Sequence, residues 1–250
     1  MNSRPLSIPV ILGTTRKGRM SAHAARFMVG QIERRNGVTT ELIDISKLPM
    51  PIDDAGEGIK DPMFSDKMAM ADGLVIVTPE YNHSFPGLLK HVLDSCLKEY
   101  IHKPAGIVGV SAGPFGGVRV IQDFLPVLRE LGLVNIFWDV NFGSVEKVFD
   151  EPGNLLDQAF VGRADKFLNE LIWMAKSLRY GRDNIADEMT THEEKMICPK
   201  CGNEMNHHAD KLVYPTSVQE AEKMDPALGG AIDETHSCPA CGAVASRRAE

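Results

Sequence analysis

Apolar positions over the first 180 residues fall into two alternating kinds of run. Short blocks rich in Val and Ile, at residues 7–12, 74–78 and 105–110, have the continuous apolar character of strands buried on both faces. Longer stretches lie between them, with apolar residues recurring every three or four positions, as Ala25, Met28, Val29 and Ile32 do within residues 21–36. Asn36-Gly37 closes that helix, and residues 38–45 alternate as a second strand. Asp61-Pro62 opens a helix reaching Ala71, with the proline in its first turn. Residues 86–97, 117–131 and 154–178 read as further helices, the second kinked at Pro126, and residues 134–142 as the fifth strand.

Five strands alternating with five helices predict a doubly wound α/β fold, because parallel strands need right-handed crossover helices. The flavodoxin-like parallel five-stranded sheet, in order 2-1-3-4-5, is the expected topology. A dinucleotide-binding Rossmann domain would end its second strand on an acidic residue, which Asp44 supplies, and would carry Gly-x-Gly-x-x-Gly after its first. Gly13-Thr14-Thr15-Arg16-Lys17-Gly18 does not.

Each of three strands runs straight into a loop with chemistry in it, and in an open parallel sheet such loops gather at one edge. The first offers Gly13 for close backbone approach, the Thr14, Thr15 and Ser21 hydroxyls, and Arg16, Lys17 and Arg19, all before a helix N-terminus. That combination is a phosphate cradle. It lacks the spacing of a Walker loop, which argues against ATP. The second, Pro79-Glu80-Tyr81-Asn82, is a rigid turn whose backbone N–H groups suit a flat polar heterocycle, with Tyr81 beside it. The third, residues 111–117 with Ser111, Gly113, Gly116 and Gly117, lets the backbone approach a ligand without Cβ obstruction.

The net charge of −7 argues against nucleic acid as a partner, and the chain has no apolar run long enough to span a membrane. A cytoplasmic location is the expectation. The charge is uneven. Residues 181–250 carry 7 Lys and Arg against 13 Asp and Glu, whereas the first 180 residues are close to balanced. Three segments follow: a domain at 1–180, a polar linker at 181–196 and a small module at 197–250. Within the module, Cys198-Pro-Lys-Cys201-Gly and Cys238-Pro-Ala-Cys241-Gly form two knuckles whose four thiolates can close a tetrahedral metal site. Structural zinc and a rubredoxin-like iron centre both fit. The segment resembles a zinc ribbon more closely, since Tyr214 is its only aromatic residue.

The three loops together resemble the NADPH-dependent FMN reductase family over residues 6–178. Gly13-Thr14-Thr15-Arg16 with Ser21 matches that family's phosphate loop, Pro79-Glu80-Tyr81-Asn82 its flavin loop, and residues 113–117 its Gly-rich third loop. The resemblance implies FMN as cofactor and NADPH as substrate. Thr14, Thr15, Arg16 and Ser21 then hold the phosphate, while residues 79–82 and 111–117 flank the isoalloxazine. The flavin carries the chemistry, so no catalytic side chain is expected. Quinones, azo dyes, free flavin or oxyanions are the expected acceptors. The alternative is a non-enzymatic electron carrier or redox sensor with iron in the tail. The resemblance also implies a homodimer or homotetramer, with Phe124, Leu125 and Leu128 offered as contact residues.

Overall fold

The computed structural model describes residues 4–49, 51, 61–185, 196–215, 217, 219 and 231–248. The chain forms two compact units, Met1–Ala186 and Asp187–Glu250. In the first, β2 (Val10–Leu12), β4 (Leu42–Asp44), β5 (Leu74–Pro79), β6 (Lys103–Val110) and β7 (Leu133–Asn135) form a parallel sheet in the order β4-β2-β5-β6-β7. A further strand, β8 (Val140–Phe142), also pairs with β6. Ahead of β2 and β4, β1 (Leu6–Ser7) pairs with β3 (Val38–Thr39).

Three of the expected strands are divided, residues 38–45 among them, which split into β3 and β4. The bonds Leu6 N to Gly37 O, Ile8 N to Thr39 O and Val10 N to Glu41 O, at 2.8–2.9 Å, show β1 and β2 to be one extended run. Pro9 interrupts its ladder because proline has no N–H to give. The fifth strand breaks at Phe137-Trp138, whose rings pack edge to face at 5.0 Å and turn out to solvent. Lys166 sits over the Trp138 ring.

Among the described residues of this unit, six α-helices follow the strands: α1 (Ser21–Glu33), α2 (Pro62–Met70), α3 (Gly87–Asp94), α4 (Val118–Glu130), α5 (Val145–Val148) and α6 (Ala159–Asn184). The period-2 geometry of β5 sends Val75 and Val77 to one face, where α1 and α6 cover them, and Leu74 and Ile76 to the other, under α2, α3 and α4. Gly106 is a packing requirement, since a Cβ there would sit 2.3 Å from the Phe167 ring of α6. Phe124 and Leu128 of α4 are fully buried in the second of these cores and are unavailable as contacts to another subunit.

The last helix runs to Asn184, so the first residues of the expected linker are helical. Residues 186–195 of that linker lie outside the described residues. A tertiary clasp holds the helix end. Fully buried Asp72 accepts from Arg4 at 2.6 and 3.0 Å, from Arg179 at 3.3 Å, from Arg182 at 3.2 Å and from the Ser7 N–H at 2.9 Å.

The second unit holds an antiparallel sheet in the order β11-β10-β9, built from β9 (Asn206–Val213), β10 (Ala231–Ser237) and β11 (Val244–Arg248). Among the described residues no helix is long and apolar enough to cross a membrane.

Two outcomes follow. Asp72→Ala leaves three guanidinium groups facing a vacated partner, and urea titration should show a loss of about 3 kcal/mol. Burial pushes the Asp139 carboxyl from its ordinary 3.8 up to about 6, and its Oδ1 has no partner among the described residues. Between those values the folded chain holds a proton that the unfolded chain has released, so this group's contribution to stability falls as pH rises from about 4 to 6. Asp139→Asn should flatten that part of the stability profile.

Candidate functional site

The loops after β2, β5, β6 and β8 meet at the C-terminal edge of the sheet and enclose a cleft of about 340 Å³. The first loop contributes residues 16–21 to its wall, the second Pro79, Glu80 and Tyr81, the third Ser111 and Ala112. Val145 and Glu146 of α5 complete it. A more open groove of about 620 Å³, bounded by Thr14, Thr15, Asn82 and Leu88, shares Arg16, Glu80 and Tyr81 with the cleft.

Within the first loop, Gly13 donates its N–H to Val77 O at 2.8 Å, and a Cβ there would meet Leu89 at 2.7 Å. Thr14 is buried and its hydroxyl bonds the Tyr81 hydroxyl at 3.1 Å, tying the first loop to the second. The helix α1 that follows starts with no side-chain cap and no acidic residue in its first turn, leaving its positive end available to an anion. Ser21, 3% exposed, lines the cleft, and its Oγ has no partner among the described residues. Arg19 is drawn into an ion pair with Asp44 at the end of β4, yet its buried Nε has no partner among the described residues.

The second loop is a tight reversal in which Tyr81 and Ser84 exchange backbone bonds at 2.8 and 2.9 Å. Asn82 and His83, at φ +50° and +69°, take the left-handed conformation that such a two-residue turn requires. Ser84 donates to Asp123 of α4, and Arg119 of the same helix lies 3.5 Å from Glu80. The other Glu80 carboxylate oxygen, Oε2, is buried and has no partner among the described residues.

Of the third-loop residues only Ser111 and Ala112 line the cleft. Gly116 and Gly117, at φ +63° and +77°, are buried; a Cβ would strike Asn141 at 2.7 Å and Val110 N at 2.9 Å, so they let the loop fold onto the sheet. Gly113 is exposed, and its carbonyl accepts from Ser111 Oγ and Ser144 N. The wall formed by Val145 and Glu146 escaped the sequence reading, although Gly143-Ser144 after β8 repeats the strand-to-loop signal of the other three.

In the second unit, the four sulfurs of Cys198, Cys201, Cys238 and Cys241 lie within 4.8 Å of one another. Cys201–Cys238 and Cys198–Cys241 approach to 3.5 and 3.7 Å, beyond disulfide length. Sulfurs about 2.3 Å from a central tetrahedral ion would be about 3.8 Å apart. Gly202 and Gly242, at φ +75° and +68°, turn each knuckle, and their N–H groups bond Cys198 O and Cys238 O at 2.9 Å. Burial opposes ionisation of Cys238, but the N–H groups of Cys241 and Ala240 outweigh it and hold that thiol near 7. Cys241 goes the other way: the Ala243 N–H lowers it, but the Cys201 sulfur helps push it up to about 12. Four thiolates this close repel one another unless a cation stands between them.

The model of the family described as NADPH-dependent FMN reductase matches residues 6–146. An NAD(P)H-dependent FMN reductase of Pseudomonas aeruginosa is 32% identical over 155 residues, covering 59% of this chain and 83% of its own. An FMN-dependent NADPH-azoreductase of Staphylococcus haemolyticus is 31% identical over 188 residues, covering 68% and 96%. In fold, the chain is similar to the NAD(P)H:acceptor oxidoreductase FerB of Paracoccus denitrificans, with a TM-score of 0.58, 22% identity and 68% of this chain matched to 98% of that one. With more than half its length matched and these relatives beside it, the chain belongs to the NADPH-dependent FMN reductase family.

Proposed function

We propose that the 340 Å³ cleft holds FMN, with its phosphate at the first loop and its ring between the second and third, and that the chain uses it to oxidise NAD(P)H. The observation that carries this reading is the buried, unpartnered Ser21 hydroxyl at the uncapped start of α1. An unmet polar group in a folded protein costs about 1–3 kcal/mol, and a phosphate oxygen would satisfy this one. Thr14, Thr15 and Arg16 supply further hydroxyls and charge. When bound, FMN supplies a two-electron acceptor for the nicotinamide and a donor for the second substrate.

The chain's own residues bind, orient and shield. The Thr14–Tyr81 hydroxyl bond fixes the tyrosine ring on the wall shared by cleft and groove. Pro79 and Asn82 set the turn, and Glu80 offers an acceptor to a ligand N–H. Ser111, Gly113, Gly116 and Gly117 shape the opposing loop. Quinone, azo, flavin or oxyanion compounds are the acceptor classes, the first two in keeping with relatives named as quinone reductase and azoreductase.

The second unit, on this reading, is a four-cysteine zinc ribbon in which metal replaces the large core that the segment lacks. Its sulfur spacings support a tetrahedral ion. A four-thiolate site and a nicotinamide substrate both suit a reducing cytoplasm, and a homodimer or homotetramer follows the family resemblance.

Purified protein should be yellow and release FMN, not FAD, on denaturation; finding FAD would refute the reading. A chain ending at residue 186, which spares the Arg179 and Arg182 clasp, should keep FMN and oxidise NADPH at close to the full-length rate. In the full chain, mercurial titration with a zinc-sensitive dye should release one zinc per chain, and Cys201→Ser should abolish that release while the flavin spectrum stays unchanged.

A further inference from the structure

The four sulfurs of the second unit lie close together but differ in their access to solvent. Cys198 and Cys238 are buried, at 2% and 3% exposure, Cys241 is half-buried and Cys201 is exposed. Cys201 lies 3.5 Å from Cys238, and Cys198 lies 3.7 Å from Cys241. Each of these pairs joins the two knuckles and sets a more accessible sulfur against a buried one. Closing either pair to a disulfide takes a movement of about 1.5 Å. The centre also carries the packing of its unit. Among the described residues the buried apolar cluster there is Cys198, Met205 and Cys238, so two of its three members belong to the site. A change at the sulfurs is a change in what holds the unit together.

We infer that this centre is an oxidative modification site for peroxides, in which Cys201 takes the oxidant, Cys238 closes the first disulfide and the metal is released. The inference rests on the reading of the four cysteines as a zinc site. Zinc has no redox chemistry of its own, so the electrons come from sulfur. A cysteine that ligates a metal is already a thiolate, the form that reacts, and an oxidant reaches the accessible one first. The Cys201 thiolate attacks one peroxide oxygen: the S–O bond forms, the O–O bond breaks and hydroxide leaves, with sulfur oxidised by two electrons to the sulfenic acid and the peroxide reduced. Cys238 then attacks that sulfur, so the S–S bond forms, the S–O bond breaks and a second hydroxide leaves. Two thiolates and one peroxide give one disulfide and two hydroxides. Cys198 and Cys241 alone remain as ligands, and a second peroxide joins them by the same steps, starting at the more accessible Cys241. Because both bridges run between knuckles, they keep the knuckles joined after the metal has gone, and a thiol reductant reverses them.

The experiment treats the reduced full-length protein, with the zinc it carries on purification, with hydrogen peroxide in the presence of a zinc-sensitive dye. About two equivalents per chain, one for each disulfide, should release as much zinc as a mercurial does. A thiol reductant with added zinc should restore the loaded protein. Peptide mapping without reduction should find Cys201–Cys238 and Cys198–Cys241 bridges. Below one equivalent, a sulfenic-acid trap should label Cys201 ahead of the other three, while Cys96, buried in the first unit, stays a thiol. Bridges within the knuckles, Cys198–Cys201 and Cys238–Cys241, would overturn the inference. Labelling of another cysteine before Cys201, or oxidation of Cys96 in step with it, would do the same. Zinc that survives a large excess of peroxide would overturn the inference and leave the zinc reading standing, whereas a chain that yields no zinc to the mercurial would overturn both.

Discussion

Everything in the reductase unit follows from a parallel sheet covered on both faces. Leu74, Val75, Ile76 and Val77 are without exposed surface, and their neighbours on β6 are nearly so. Such strands have no free face on which to carry chemistry, because a polar side chain there would lose its water without gaining a partner. Polar groups are therefore driven to the strand ends, where Asp44, Glu80 and Ser111 stand. The same burial makes the platform stiff. Gly106 and Gly109 mark where α6 and the third loop press too closely for a Cβ, so a shift in either would be felt in the cleft.

That stiffness is what allows the cleft to keep polar groups unsatisfied. Ser21 Oγ, Arg19 Nε and Glu80 Oε2 each lack a partner among the described residues, and each would relax toward one if the loops were free to move. The bond between Thr14 and Tyr81, the pull of Asp44 on Arg19 and the grip of α4 on Glu80 and Ser84 prevent it. Preorganised polar groups bind a charged ligand without reorganising first. In the second unit, backbone turns hold the cysteine sulfurs 3.5 and 3.7 Å apart, a spacing at which thiolates would repel one another.

The alternation of strand and helix was legible because continuous apolar runs and three-to-four spacing report burial directly. The loop motifs were legible because glycine, proline and hydroxyl residues have few reasons to follow a strand together. Interactions distant in sequence were not. Arg19 reads as one of three equivalent cations until Asp44, 25 positions on, takes hold of it. Residues 181–184 read as linker because their helical state depends on a carboxylate 110 positions earlier, which Arg182 reaches. Phe124 and Leu128 read equally well as core or as contact, and only their position over β5 and β6 decides for core. Gly116 and Gly117 read as ligand-facing when their freedom is spent on letting the chain turn against Asn141.

The Asp72 clasp sews together chain segments that are remote in sequence. Arg4 comes from near the start of the domain and Arg179 and Arg182 from its end, and Arg179 also donates to Arg4 O at 2.9 Å and Pro5 O at 3.3 Å. Tension on the segment beyond residue 185, or a protease working inward along it, would have to break this charged knot before the sheet could begin to peel. Helix ends ordinarily fray, and this one is locked. The reductase unit thus ends on a fixed point, and whatever follows in sequence starts from a helix end already tied to Asp72.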